Sequence, residues 1–181
     1  MRRAGVALAL SLALCSASHA QWLYQGQESA FDDDALQIAV TAEGQYALGF
    51  RCKRDNIEVV YMTPDKSFQD ADAYKMANLA KPKIRIRIDN NPIVDIDAFM
   101  TEAGGKATII GETDLEMLES IRNAKKRVAV VLQLLGDSYH EKSFNVRGST
   151  KALGQIIKAC KLEDKEEYPP ERDLGEYGTR E

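Results

Sequence analysis

Few side chains in this 181-residue chain could carry chemistry. They are the three cysteines Cys15, Cys52 and Cys160, the histidines His19 and His140, three aspartate clusters and one basic row. The clusters are Asp32-Asp33-Asp34, Asp70-x-Asp72 and Asp95-x-Asp97; the row is Lys83-x-Arg85-x-Arg87. These groups invite four readings: a disulfide or reactive thiol, a histidine-centred site, calcium binding, and the capture of an anion.

The N-terminus narrows the choice. "MRRAGVALALSLALCSASHA" runs from Arg2 and Arg3 through an apolar stretch to the small residues Ser18 and Ala20, the order of a secretory signal peptide. The apolar run falls short of the roughly 20 residues that span a bilayer. An uncleaved anchor and lipid attachment at Cys15 are the alternatives, although Leu14 is bulky for the second. Residues 1–20 are therefore read as a signal peptide cleaved after Ala20, with a periplasmic or secreted product and no transmembrane segment in the mature chain. Loss of Arg2 and Arg3 lowers the 24 basic residues to 22 against 28 acidic ones, a net charge of −6. The sequence pI near 5.4 argues against nucleic acid as a partner.

Removal of Cys15 and His19 leaves Cys52, Cys160 and His140. Two cysteines in an oxidising compartment read as one disulfide. Parity supports the pairing. In "QYALGFRC", Cys52 shares a strand face with Tyr46, Leu48 and Phe50, while Leu153, Ile156, Ile157 and Cys160 recur at the spacing of one helical face. Both sulfurs are expected in one core, and there is no C-x-x-C to favour a redox role. One histidine beside a cystine leaves too few ligands for zinc. The aspartate clusters lack the glycine and distal glutamate of an EF-hand loop. Neither G-x-S-x-G nor S-x-x-K occurs. In "GDSYHEKS", Asp137, Ser138 and His140 lie too close in sequence for a triad, so His140 is placed in a polar hairpin loop. The expectation is no catalytic residue, no metal and no cofactor.

Lys83, Arg85 and Arg87 remain. Alternate positions put their charges on one strand face, roughly 7 Å apart. The row could hold an anionic envelope polymer or an acidic protein; alternatively, neighbouring strands supply carboxylates that neutralise it.

The elements that must position these residues are mostly strands. "ALQIAVTA", "QYALGFRC", "NIEVVYMT" and "KPKIRIRID" alternate with period 2, with Leu36, Ile38 and Val40 on one face of the first and Ile57, Val59 and Tyr61 inward in the third. "IVDIDAFM" and "KATIIG" follow, and "RVAVVLQLL", apolar on both faces, reads as a central strand. Thr113 with Glu116 forms a capping box opening a helix near 114–124, with Leu115, Leu118 and Ile121 on its apolar face. Ser149 is the expected N-cap of a C-terminal helix near 150–161. Residues 68–81 fit a loop or a short helix. Residues 163–181 are charged and interrupted by Pro169-Pro170, the composition of an acidic disordered tail. The expected fold is α+β, mainly antiparallel and sandwich-like, with a single domain over 21–162.

The order Ser29-x-x-Asp32-Asp33, "LGFRC", "RIRID" and "FNVRG" before a helix ending in cysteine resembles the VasI-like periplasmic proteins that accompany type VI secretion. The resemblance covers residues 22–160. It implies that Leu48-x-x-Arg51-Cys52 and Phe144-x-x-x-Gly148 with Cys160 frame the fold, and that the role is accessory or binding. The functional expectation is an exported, non-enzymatic binding protein of the bacterial envelope, associated with a secretion system. The alternatives are a cell-wall hydrolase built from scattered carboxylates, or an inhibitor of a secreted hydrolase using a loop at 65–81.

Overall fold

The computed structural model describes residues 21–29, 32–53, 56–65 and 71–162. The signal-peptide, cleavage-site and tail expectations lie outside them. The described residues form nine strands and three helices: β1 (Leu23–Ser29), β2 (Asp32–Glu43), β3 (Tyr46–Lys53), β4 (Asn56–Thr63), α1 (Ala71–Leu79), β5 (Lys83–Ile88), β6 (Val94–Ala103), β7 (Lys106–Thr113), α2 (Leu115–Arg122), β8 (Arg127–Leu134), β9 (Asp137–Asn145) and α3 (Ser149–Ala159). This is the α+β, mainly antiparallel architecture that the alternating strands predict.

Every strand pairs antiparallel with its neighbours, in the order β1-β2-β3-β4-β7-β6-β5-β8-β9. The ribbon divides into two sheets because β6 belongs to both. Its first half pairs with β5, from Val94 opposite Ile86 to Asp97 opposite Lys83. Its second half pairs with β7, starting at Ala98 opposite Gly111. Gly111 permits this crossing: a Cβ there would lie 2.8 Å from the carbonyl oxygen of Asp97. The far ends of the ribbon then meet. The Trp22 amide donates to the Arg147 carbonyl at 2.9 Å and its indole Nε1 donates to the Asn145 carbonyl at 3.1 Å. Gly148, at φ +83°, fits beneath Trp22, where a Cβ would stand 3.0 Å from the Trp22 carbonyl oxygen.

The core lies between the sheets. Leu48, Phe50, Val59, Tyr61, Ile84, Ile86, Val130 and Phe144 are all essentially inaccessible, as the alternation of β3, β4 and β5 requires. Strand β8 is interior, between β5 and β9. The helix α3 packs against α2 and across β1 and β2, burying Leu153, Ile156 and Ile157.

Both helix-cap expectations are corrected, and two further segments are made specific. The α2 N-cap is Asp114 rather than Thr113: its backbone is extended and its carboxylate accepts the Met117 amide at 2.9 Å. Ser149 does not cap α3. Gly148 occupies that position in the left-handed region, and the buried Ser149 hydroxyl has no hydrogen-bond partner among the described residues. Residues 71–79 form a helix that is fastened to β6, with the Asn78 amide group bridging the Met100 carbonyl (2.9 Å) and amide (2.6 Å). Leu36, Ile38 and Val40 do share a face, but Ile38 and Val40 are on the outside of the sheet. Ala39 and Thr41 fill the buried side of β2, opposite Phe50 and Leu48. Alternation fixes that faces differ; it does not fix which one meets the core.

Candidate functional site

Cys52 and Cys160 form a disulfide with Cα atoms 6.6 Å apart, closing a separation of 108 residues. Both are buried, at 1% and 8% exposure. The bond ties the end of β3 to the C-cap of α3 beside Trp22, which stacks on Phe50 with ring centroids 6.1 Å apart. The pair is a structural lock.

The basic row divides. Lys83, Arg85 and Arg87 point away from the core on β5, as expected, but the adjoining half of β6 carries Asp97 and Asp95 on the same face. Lys83 Nζ lies 3.3 Å from Asp97, and Arg85 donates twice to Asp95, at 2.7 and 3.3 Å. Arg87 extends beyond the end of that ladder. It shares a shallow hollow with Arg127, Ile93, Glu141 and Ser143 and makes no ion pair within 4.0 Å among the described residues. The sequence does contain this pairing. Basic and acidic alternations flank the Asp89-Asn90-Asn91-Pro92 turn in mirror order, as a hairpin requires.

His140 is in strand β9, not in a hairpin loop. A register shift against β8 and a positive φ of 56° mark a bulge there, and bulges redirect side chains. The imidazole Nε2 is 2.8 Å from an Asp65 carboxylate oxygen and Nδ1 is 3.4 Å from the Tyr46 hydroxyl. The Tyr61 hydroxyl donates to the His140 carbonyl. Burial first, then the neighbouring Tyr46 and Glu141, pushes the Tyr61 pKa well above the ordinary phenol value. A neutral hydroxyl fits its role as donor. The cluster closes the seam between the two sheets, which explains why a histidine and a carboxylate 75 residues apart meet.

A cleft follows from the crossing of β6. Beyond Ala98 and Gly111, β6 and β7 diverge and leave a cleft of about 910 Å³. Ile86, Ile96 and Met117 line its inner part, and Glu58, Asp95, Asp97, Glu112, Asp114 and Glu116 are among its walls. Among the described residues, no lysine, arginine or histidine lines it. Four of these carboxylates are already engaged: Asp95 and Asp97 with the basic row, Glu58 with Arg51 and Asp114 with the Met117 amide.

Phe99 and Ile110 also line a second hollow of about 510 Å³ on the outer face of the first sheet, with Ile38, Val40, Val60 and Met62. Phe99 is 46% exposed. The cleft and the hollow thus form one apolar tract, acidic at one end. Sequence reasoning missed it because the tract depends on strand divergence and on which face of β2 turns outward. The diad of Ile38 and Val40 beside Val60 and Met62 is its only trace in the pattern.

No family model matches the chain, and no curated protein matches it. Among solved structures, the crystal structure of invasion associated protein B from Bartonella henselae is similar, with a TM-score of 0.54 at 10% identity, covering 80% of this chain and 95% of that one. At that identity the likeness concerns the fold.

Proposed function

We propose that this chain is an exported, non-enzymatic binding protein of the bacterial envelope, and that it binds through the apolar tract centred on Phe99. The observation that carries this reading is the joining of the cleft and the outer hollow at Phe99 and Ile110. Apolar concavities with a few polar groups at their margins are the usual form of binding sites. The side chains first suspected of chemistry are engaged elsewhere: the cysteines with each other, His140 with Asp65, Lys83 and Arg85 with Asp97 and Asp95. The disulfide and the signal-peptide order of residues 1–20 favour an oxidising, exported location. The fold-level likeness to an invasion associated protein and the resemblance to VasI-like proteins both favour an accessory role, with secretion-system association as the finer form of the proposal.

A photo-crosslinking residue placed at Phe99 in living cells tests this. The expected result is a discrete adduct with an envelope component, absent when the same residue replaces Arg87. No adduct at Phe99, or an equal one at Arg87, would overturn the assignment of the tract.

A further inference from the structure

The cleft has a feature that the outer hollow lacks: an open strand edge. Ala98 donates its amide to the Pro82 carbonyl at 2.9 Å, so the hydrogen-bonding groups of Ala98 point toward the β5 side. Successive residues of an antiparallel strand alternate in this respect. The amide and carbonyl of Asp95 therefore point the other way, toward the cleft. The β7 ladder stops at Ala98 opposite Gly111, so among the described residues no strand pairs with residues 94–97 on that side. Exposed edges of this kind accept an extended peptide as an added strand.

The lining selects what that peptide would carry. An added strand projects alternate side chains to opposite sides. Those turned inward would meet Ile86, Ile96 and Met117. Those turned outward would meet Glu112 and Glu116, exposed carboxylates with no ion pair among the described residues. Walls of one charge sign and low polarity focus the potential in a cleft.

We propose, resting on the binding reading above, that the cleft takes an extended segment of a partner protein as a short strand along β6, with apolar residues alternating with lysine or arginine. The main chain of the segment bonds to Asp95, its apolar residues fill the floor, and its cations pair with Glu112 and Glu116.

The test uses the full exported chain in oxidised form and short fluorescein-labelled peptides. A peptide alternating lysine and valine is expected to bind, to lose affinity as salt rises, and to slow hydrogen exchange at the Asp95 amide. The same peptide with proline in place of alternate residues keeps its charge but cannot complete the ladder, and is expected to bind at least about tenfold more weakly. The double variant Glu112→Lys/Glu116→Lys, checked for its folded spectrum, is expected to weaken the lysine peptide by roughly tenfold, since exposed charge pairs are each worth a few-fold. Equal binding of the proline peptide, unchanged exchange at Asp95, or equal binding of a glutamate-valine peptide would overturn the proposal. The binding reading fails separately: if Phe99 crosslinks in cells while the lysine peptide does not bind, the tract is a binding surface for a different class of partner. If neither occurs, both are wrong.

Discussion

The two outer faces of this molecule are opposites. On the second sheet, β5 and the first half of β6 display Lys83, Arg85, Asp95 and Asp97, and the charges neutralise one another across the ladder. On the first sheet, β2, β4 and β6 display Ile38, Val40, Val60, Met62 and Phe99 around an open hollow, and α1 is fastened to β6 at the neighbouring Met100. The helix α3 packs against the opposite, inner surface on β1 and β2, and α2 packs on α3. Cys52, Cys160, His140, Lys83 and Arg85, which stood out in the sequence, are therefore engaged within the fold, while Ile38 and Val40 lie on the open surface. A charge that has a partner has little affinity left to offer, whereas exposed apolar area keeps its full drive for burial.

The largest expected effect concerns what frees the first sheet to be open on one side. Its inner surface is held by the bond from Cys52 to Cys160, so its outer surface need not be covered for stability. In the chain-entropy view, closing a loop of 108 residues contributes about 4–5 kcal/mol. The double variant Cys52→Ala/Cys160→Ala should lose roughly that amount in denaturant unfolding, and reduction of the wild type should match it. A loss below about 1 kcal/mol would mean that Trp22, Phe50 and α3 hold the inner surface unaided.

Adjacent residues on β4 then separate the two faces directly. Val59 is fully buried in the core, whereas Val60 belongs to the outer hollow. Val59→Ala should cost roughly 2 kcal/mol through lost burial and a residual cavity. Val60→Ala should cost less than about 1 kcal/mol, because its site is already open to water. Equal losses in urea titrations would mean that the outer face is covered and is not a free surface.

The contrast also shows what was legible in the sequence. Alternation located β3, β4 and β5, a continuous apolar run located β8, and the shared parity of Phe50 and Cys52 supported the disulfide. These features repeat over several residues, so one ambiguous position does not displace them. The misses all depend on a single residue or on tertiary context. Thr113 and Asp114 can both cap a helix, and only the extended backbone of Asp114 decides between them. The bulge at His140 interrupts the parity that would have directed it toward Asp65. Ile38 and Val40 alternate as a buried face would, yet the inward positions go to Ala39 and Thr41, beneath α3. The cleft was illegible because it is the space left where two strands part.

The smallest expected effect returns to the second sheet and asks whether its carboxylates are structural in general. Asp89 closes the turn after β5 with φ +51°. Its carboxylate accepts the amides of Lys125 and Lys126 at 2.8 Å and of Arg127 at 2.9 Å, which joins the turn to the start of β8. These backbone donors, the Lys125 amide foremost, hold its pKa below the ordinary carboxylate value. A folded-state pKa that is depressed contributes stability above the unfolded value, and this is lost as pH falls through the folded one. Asp89→Asn retains a residue tolerant of the left-handed backbone while removing the charge. The variant should be less stable than wild type at neutral pH, and the gap should close below about pH 4, as the wild-type carboxylate takes up its proton. Denaturant midpoints measured at both pH values decide it. A gap that stays constant would show that Asp89 acts through turn geometry alone, leaving the second sheet's use of charge confined to the pairs on β5 and β6.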